Sequence, residues 1–127
     1  MDNYELREES ISNEKYRRLE NGPAPFFFDV AMSKLEALDV AVEMKIESPG
    51  NYSRYRYSAA KEPDMSIFSE EEKNLIEWEF NRLGSKTARE LSALSHLDTP
   101  WKIAKDKEEI DYDAVFYRTA ETSVLDE

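Results

Sequence analysis

The sequence predicts a mainly helical α+β fold in which one β-hairpin is inserted between helices, in a winged-helix-like order. Ser69 with Glu72, and Thr87 with Glu90, have the three-residue spacing of a capping box ahead of a helical apolar series. Upstream of both, apolar and polar residues alternate over about 40–59, which is the period of half-buried strands. These patterns place a hairpin between an N-terminal helix and a helical second half.

Composition limits the classes of function. The 127 residues suit a single domain, 1–127, whose ends at 1–10 and 119–127 are expected to fray. With 17 basic and 28 acidic residues the net charge is −11, which argues against general binding to nucleic acid or to anionic membranes. There is no cysteine for a disulfide or a thiolate site, and no signal peptide or long apolar run near the start, so we expect a cytoplasmic protein.

The N-terminal third is the least patterned part of the chain. The first 20 residues are polar and acidic, and they predict a short strand or an irregular arm. The segment Asn21–Pro25 predicts a turn that leads into a helix over about 25–38, because proline is tolerated only in the first helical turn.

Two short stretches are candidate contacts for a partner. Three consecutive phenylalanines wrap too widely for one buried stripe, so either core packing or a partner must cover Phe26, Phe27 and Phe28. In the hairpin, Arg54 and Arg56 alternate with tyrosines and form the one locally basic patch. Such a patch suits a nucleic-acid-binding wing, but in so acidic a chain solvent or the chain's own carboxylates are the favoured partners.

The second half predicts four helices. The helix that begins at Ser69 is expected to end near Gly84, with Trp78 at the margin of its buried stripe. That stripe consists of Leu75, Ile76, Phe80 and Leu83. The Thr87 helix carries its own stripe at three-residue spacing, formed by Leu91, Leu94 and Leu97.

A tight corner follows the Thr87 helix. His96 closes that helix, where an imidazole suits the negative end of the dipole. Thr99 is predicted to cap the next helix, with Pro100 at its first position and Trp101 beside the corner. We expect His96 to be structural, bonded to a helix-end carbonyl or to Asp98.

The C-terminal part predicts a short extended link followed by a last helix. Ile110 and Tyr112 form the link, and the helix is expected to be capped by Asp113. After that helix the sequence ends in an acidic tail.

No arrangement of residues predicts catalysis. Three glycines cannot form a phosphate-cradling loop, and one histidine without cysteine does not supply a usual transition-metal site. Ser95 and His96 are neighbours in sequence, but adjacent helix residues point about 100° apart, so they do not form a nucleophile–base pair. We therefore predict no catalytic residue, cofactor or metal, and a protein that is not an enzyme.

Two motifs carry a resemblance to a known family. They are Gly22-Pro23-Ala24-Pro25 and Glu90-Leu91-Ser92-Ala93-Leu94-Ser95-His96, the latter followed by Pro100-Trp101 and Ile110. In this order they resemble the Panacea (SocA-like antitoxin) domain over roughly residues 10–118. In that family a Gly-Pro-x-Pro turn opens a helix, and an ELSxLSH segment precedes a Pro-Trp pair and an isoleucine. The pattern falls on Gly22, Pro23, Pro25, Glu90, Leu91, Ser92, His96, Pro100 and Trp101, which the resemblance implies to be fold-defining rather than catalytic.

The resemblance implies a function. Family members are antitoxins of bacterial and phage toxin–antitoxin pairs, and most block a toxin protein by direct contact, without an active site. At least one is a proteolytic adaptor that delivers its toxin to an ATP-dependent protease, so that alternative stays open. A winged-helix transcriptional regulator is a third alternative, against which the net charge argues.

The chain departs from the family pattern at its start. The family normally opens with an apolar helix ahead of the segment that matches residues 11–25, and no such helix is apparent here. We expect its loss to leave an apolar face open, with Phe26–Phe28 as part of that face. The N-terminal arm with Tyr4, Leu6 and Ile11, a second copy of the chain or a partner protein could cover such a face. A homodimer or a toxin complex is favoured, because the arm has few apolar side chains and its acidic residues resist burial.

Overall fold

The structure, a computed structural model, describes residues 1–48 and 52–125, and over 41–48 and 52–55 it describes the backbone alone. The elements in chain order are α1 (Asp2–Arg7), β1 (Tyr16–Leu19), β2 (Gly22–Pro25), α2 (Phe28–Ala37), β3 (Ala41–Ser48), β4 (Tyr52–Ala59), a 3₁₀ helix (Met65–Ile67), α3 (Glu70–Leu83), α4 (Ala88–Leu97), α5 (Thr99–Ile103) and a second 3₁₀ helix (Tyr112–Tyr117). They form two compact units, one from 1–26 with 66–127 and one from 27–65. Within the described part, no helix is long and apolar enough to span a bilayer.

The mainly helical α+β class is confirmed, and so is the predicted hairpin. In the second unit β3 and β4 pair antiparallel, from Ala41 opposite Ala59 to Ser48 opposite Tyr52. The residues between the two strands, 49–51, lie outside the described residues. Helix α2 precedes the hairpin, and its Phe28 ring meets Tyr57 of β4 edge-on, with centroids 6.1 Å apart.

Over residues 1–20 we expected a short strand or an irregular arm, and the short strand is present as β1. The first residues, however, form a helix, α1, that we did not expect. The Asn3 side-chain amide donates to the carbonyl of Glu9 at 2.9 Å and so closes the segment on itself. The Tyr4 ring packs on Tyr112, with centroids 5.2 Å apart. Long-range contacts of this kind cannot be seen in local sequence patterns, which explains the wrong prediction.

The Gly-Pro-x-Pro segment is a strand, not the opening of a helix. It forms β2 and pairs antiparallel with β1, so that Gly22 lies opposite Leu19 and Pro25 opposite Tyr16. Helix α2 consequently begins at Phe28 rather than at about residue 25. Hydrogen bonds from alternate residues of this segment to β1 replace the helical hydrogen bonds that the proline pattern suggested.

The predicted helices α3 and α4 are confirmed together with their capping boxes. Glu72 N–H donates to Ser69 Oγ at 3.1 Å, and Ser69 N–H donates to the Glu72 carboxylate at 2.9 Å. Thr87 and Glu90 repeat this exchange at 3.2 and 2.7 Å. Each box satisfies two N–H groups that a helix start leaves without intrahelical partners.

The predicted buried stripes are only partly correct. Phe80 is 73% exposed, although Ile76 and Leu83 on the same helix are half-buried. At 100° per residue Phe80 lies at the edge of the sector that its neighbours define. Leu91 and Leu97 are likewise exposed at 37% and 42%, because residues three apart drift around a helix of 3.6 residues per turn.

Two predicted caps are displaced. Thr99 is the first residue of α5, and Asp98 is its N-cap, without a side-chain cap bond. The last helix is a 3₁₀ helix capped by Asp111, whose carboxylate accepts the N–H of Asp113 at 2.9 Å. A 3₁₀ helix is the expected form for so short a segment.

The core of the first unit lies around the C-terminal segment. Among the described residues, the buried apolar side chains are Ile110, Ala114 and Val115, together with Pro100 of α5. Ile110 N–H donates to the Tyr16 carbonyl at 2.8 Å, which places the segment beside β1. The predicted extended link at Ile110 thus lies along β1, on the side away from β2.

Candidate functional site

Trp101 joins the β1–β2 hairpin to the corner between α4 and α5. Its indole N–H donates to the carbonyl of Leu19 at 3.1 Å. The Arg18 guanidinium lies 3.9 Å from the Trp101 ring centroid and donates to the carbonyls of Lys102 and Ala104 at 3.1 and 2.8 Å. A cation over an indole face is attractive, so the two residues reinforce each other.

His96 packs against the same indole. The two rings are stacked, with centroids 4.2 Å apart and planes inclined by 26°. His96 Nε2 lies 2.8 Å from the carbonyl of Glu20, where a protonated Nε2 donates a hydrogen bond. We expected a helix-end carbonyl or Asp98 as the partner, but Asp98 is occupied by Arg118.

Gly22 lies where no other residue fits without strain. Its φ of +136° belongs to a region that L side chains rarely adopt. A Cβ there would lie 2.8 Å from Ser95 Oγ. The Ser95 hydroxyl is itself held by donating to the Ser92 carbonyl at 2.7 Å. The two family motifs therefore meet at a direct backbone–helix contact.

Pro23 and Pro25 lie on the free edge of β2. Phe26 N–H donates to the carbonyl of Lys15 at 3.0 Å, so these two residues are a hydrogen-bonded pair next to β1 and β2. Because hydrogen-bonded pairs alternate in antiparallel strands, the backbone of Ala24 faces β1, whereas Pro23 and Pro25 face away from it. Proline has no N–H, so this edge offers carbonyl oxygens but no donors, and it resists extension by another strand.

An open cleft of about 830 Å³ lies between the β1–β2 turn and α4. Five motif residues line it, namely Gly22, Pro23, Leu91, Ser92 and His96. Ser95 donates to a backbone carbonyl and His96 bonds the hairpin turn, so neither is arranged to activate the other. The concave surface suits a side chain or a loop of a partner better than bond-breaking chemistry.

Arg118 is the centre of a buried ion cluster. Its side chain is 4% exposed, and it donates to both oxygens of Asp98 at 2.8 and 2.9 Å. Its Nη1 donates to Asp2 at 2.8 Å and to Glu5 at 2.9 Å. Burial by itself would lower the pKa of Arg118, but Asp98, Asp2 and Glu5 outweigh burial and raise it.

Glu5 extends this cluster to the C-terminal tail. Its carboxylate accepts the Ser123 hydroxyl at 2.6 Å and the Val124 N–H at 2.9 Å. These bonds connect α1 to Ser123 and Val124 of the tail. The cluster therefore joins α1, the α4–α5 corner and the tail through charge-assisted hydrogen bonds.

Glu79 on α3 is the one carboxyl near the cluster whose proton is retained close to neutral pH. One oxygen accepts from Arg82 at 2.8 Å, and the other is buried and has no hydrogen-bond partner as long as both Glu79 and Asp2 are ionised. Burial, and then a hydrogen bond with Asp2, raise the pKa of Glu79 to about 7. A protonated Glu79 can donate to Asp2, which explains why the pKa of Asp2 is lowered despite its burial.

The candidate partner-contact residues lie in different surroundings. Phe26 is half-buried under the Arg17 guanidinium, which lies 5.6 Å from its ring centroid. Phe27 and Phe28 belong to the second unit and are 62% and 43% exposed. Arg56 on β4 is exposed. The side chain of Arg54 lies outside the described residues.

Several connecting residues had no recognisable signal in the sequence. Arg18 contacts Trp101, which lies 83 positions away in the chain. Arg118 gathers three carboxylates from two distant segments. The only sequence feature consistent with a buried cation surrounded by carboxylates was the excess of acidic residues. Over residues 1–48 and 52–125, no three side chains of the metal-ligating types come together as an ion site.

Comparison with known proteins places the two motifs in one family. Neither a curated protein nor a solved structure matches the chain significantly. The model of the family described as antitoxin SocA-like, Panacea domain, matches residues 1–102. The match begins and ends earlier than the range of 10–118 over which we saw the resemblance. It covers most of the chain and both motifs, so the chain belongs to the SocA-like, Panacea-domain antitoxin family.

Proposed function

We propose that this protein neutralises a toxin by direct protein–protein contact. Membership of the antitoxin family suggests the antitoxin role and a non-enzymatic one. The observation that carries the contact mechanism is that the motif residues are used for packing: the backbone of Gly22 and the side chains of His96 and Trp101 hold the hairpin on the α4–α5 corner. Residues engaged in packing are not available for chemistry, so the exposed faces are what the protein offers a toxin.

The net charge of the chain indicates which kind of toxin surface it would bind. A net charge of −11 favours a toxin with a basic contact surface, because opposite fields accelerate encounter and suppress wrong partners. Salt should therefore slow association more than it speeds dissociation. A partner with an acidic contact surface would contradict this part of the proposal.

Co-expression tests the proposal. The toxin candidate is the product of the adjacent gene, expressed in bacteria with and without this protein and then mixed with it in pure form. We expect restored growth, and a stable complex on size-exclusion chromatography. Restored growth that requires an ATP-dependent protease of the host would favour the adaptor alternative instead.

A DNA-binding assay distinguishes the winged-helix regulator alternative from the proposed antitoxin. We expect no saturable binding of the isolated protein to duplex DNA at physiological salt, since specific binders reach about 10⁻⁸–10⁻¹¹ M there and depend on phosphate neutralisation. Sequence-selective binding below micromolar concentration would favour the winged-helix regulator.

A further inference from the structure

Helix α1 is held on the rest of the first unit largely by charged side chains. Asp2 lies 2.8 Å from Arg118 Nη1 and 3.6 Å from Arg82 Nη2, and Glu5 lies 2.9 Å from Arg118 Nη1. The Tyr4 ring adds contacts with aromatic residues of the second 3₁₀ helix. Helices this short are not stable in isolation, so the six residues of α1 keep their fold only while these contacts hold.

The contact between α1 and α3 is not closely packed. A cleft of about 490 Å³ is lined by residues of both segments, with Leu75, Ile76 and Leu83 as its apolar residues on α3. Side chains beside such a space lack part of the dispersion contacts that hold packed helices together. The attachment of α1 to α3 therefore depends mainly on the polar contacts of Asp2.

Asp2 of α1 and Glu79 of α3 share one guanidinium group. Arg82 Nη2 lies 3.6 Å from Asp2 Oδ2 and 2.8 Å from Glu79 Oε2. The two carboxyl side chains are 23% and 21% exposed, so water screens them only in part. Two carboxylates at such a site repel each other when both are ionised, and one retained proton removes the repulsion. The charge state of this pair therefore determines how firmly α1 is held on α3.

We propose that α1 is a pH-dependent switch that opens from α3 when Asp2 and Glu79 lose the one proton they share. In the closed state the protonated Glu79 carboxyl donates a hydrogen bond to Asp2 and joins the two helices. When this proton passes to solvent, two anions remain, and α1 opens more often while α3 and α4 stay folded. Segments with few buried apolar contacts are the ones that open locally in proteins.

The C-terminal tail is released together with α1. The Glu5 carboxylate of α1 accepts the Ser123 hydroxyl at 2.6 Å and the Val124 N–H at 2.9 Å. Both bonds break when α1 opens, because Glu5 moves with its helix. Arg118 keeps Asp98, whose two oxygens it binds at 2.8 and 2.9 Å, so the α4–α5 corner stays in place.

The direction of the pH effect follows from Glu79. Burial, and then Asp2, raise the pKa of Glu79 to about 7 in the closed state, from its usual value of 4.5. The closed state therefore binds more protons between these values, and α1 opens more often as the pH rises through about 7. The Met1 amino group also faces Asp2 and Glu79, and burial lowers its pKa. That group contributes in the opposite direction below pH 8, so the contribution of Glu79 has to be isolated by mutation.

The other charged groups near the pair are two guanidinium groups and two carboxylates, those of Arg82, Arg118, Asp98 and Glu5. The guanidinium groups do not lose their protons in proteins. Two phenols, of Tyr16 and Tyr112, line the same cleft. Burial raises the pKa of Tyr16, and the Tyr112 hydroxyl donates to the carbonyl of Glu14. The ionisation of Glu79 is thus surrounded by cations whose charge is constant and by neutral phenols.

Hydrogen exchange of the full chain at pH 5 to 8, corrected for the intrinsic exchange rate, measures the opening of α1. The reporters are the amides of Glu5 and Glu8, which bond carbonyls within the segment, and the amide of Val124. We expect their protection to fall together by about 10–100-fold from pH 5 to 8, the range that a pKa raised from 4.5 to about 7 allows. At every pH they should be less protected than Leu91 of α4, because α1 opens without the rest of the unit. Protection of α1 that does not change with pH, or that equals the protection of Leu91, would overturn the inference.

Glu79→Gln tests whether this carboxyl is the cause. The amide keeps the size of the side chain and can donate to Asp2 at every pH, so the fall in α1 protection should disappear. Glu77→Gln removes the same charge on the exposed side of the same helix and should keep the wild-type fall. Asp2→Asn replaces the first variant if its circular dichroism shows unfolding, and should make the fall smaller. A fall in Glu79→Gln as large as in Glu77→Gln would overturn the inference, because α1 would then open for reasons unrelated to the pair.

Discussion

At the scale of single residues, Gly22 has the least freedom of any position in the β1–β2 hairpin. Its positive φ and the closeness of Ser95 Oγ act independently against a side chain. We predict that Gly22→Ala destabilises the protein by about 1–3 kcal/mol, the usual cost of a residue held in a sparsely populated backbone region.

A double-mutant cycle with Ser95→Ala separates the two contributions to the destabilisation by Gly22→Ala, namely the backbone strain and the clash with Ser95 Oγ. Removal of the hydroxyl relieves the clash but not the backbone strain, so Gly22→Ala should cost less in the Ser95→Ala background than in the wild type. Urea denaturation measures each difference. Equal costs in both backgrounds would show that the contact with Ser95 contributes nothing.

Glu79 makes stability depend on pH at the residue scale. Its pKa is raised from 4.5 to about 7 in the folded state, by burial first and by Asp2 second. The folded protein thus binds more protons than the unfolded chain between these two values. The contribution of Glu79 to stability is therefore fully present below about pH 4.5 and is lost as the pH rises through about 7.

Thermal melts across this range test the pH dependence. We predict that stability falls by about 1–3 kcal/mol between pH 5 and 8, and that Glu79→Gln removes most of this fall. Glu77→Gln, on the exposed side of the same helix, is the matched control and should keep it. A wild-type profile that is flat from pH 5 to 8 would contradict the prediction.

For single residues the sequence predicted a kind of role, but it could not predict their partners. The sequence indicated that Gly22, His96 and Trp101 were structural, because two motifs surrounded them and no catalytic neighbour did. It could not indicate that the Glu20 carbonyl is the partner of His96, since that bond joins groups 76 positions apart. Ion pairs such as the one between Arg118 and Glu5 could not be predicted either, because their residues are also far apart in the sequence.

At the scale of elements, the capping box of α4 determines where that helix begins. Thr87 Oγ1 accepts the N–H of Glu90 and so satisfies one donor left free at the helix start. We predict that Thr87→Ala costs about 1 kcal/mol, whereas Thr87→Ser costs only a few tenths because it keeps the oxygen. Urea denaturation of both variants is the measurement, and an equal loss in the two would indicate that the cap bond is not the cause.

The joint between the β1–β2 hairpin and α5 depends on Trp101. The half-buried indole has Arg18 and His96 on its ring and a hydrogen bond to Leu19. We predict that Trp101→Ala costs about 3 kcal/mol, the low end for loss of a large aromatic, because part of the ring is exposed. Trp78→Ala, at a position 48% exposed, is the control and should cost about 1 kcal/mol or less. A loss below about 1 kcal/mol in both would identify Trp101 as a surface residue and a partner-contact candidate.

Elements with a strong local pattern were predictable, and short ones were not. The capping boxes located α3 and α4, and the two-residue alternation located the β3–β4 hairpin. Strands β1 and β2 have four residues each and contain arginines and prolines, so neither propensity nor alternation revealed them. On its other side β1 bonds the C-terminal segment, which only the folded chain brings alongside.

At the scale of the whole chain, large apolar side chains remain open in both units. In the first unit Phe80, Ile103 and Tyr117 are more than three-fifths exposed. In the second unit Phe27 and Leu38 are 62% and 65% exposed. Exposed apolar residues of this size mark interaction surfaces when they share a face.

Phe27 and Leu38 are the caps at the two ends of α2, and they lie on the same side of it. At 100° per residue along α2, Phe27 and Leu38 are only about 20° apart, whereas Glu36 lies on the opposite side. Without its toxin, the chain can cover this face with a second copy, since closed two-fold dimers are the commonest solution for one chain. We therefore predict a homodimer at micromolar concentration that the toxin converts into a mixed complex.

Light scattering with sedimentation, repeated for two variants, decides this last prediction. The double variant Phe27→Ser with Leu38→Ser should shift the equilibrium towards monomer, because it removes the apolar area that the dimer would bury. Glu36→Ser on the opposite side of α2 should leave the dimer unchanged. A wild-type monomer that binds no hydrophobic dye would show that the face is already covered within the chain, and it would contradict the prediction. A wild-type monomer that does bind the dye would show that the face is exposed and that a second copy does not cover it, which would also contradict the dimer. The toxin would then be the remaining partner for this face.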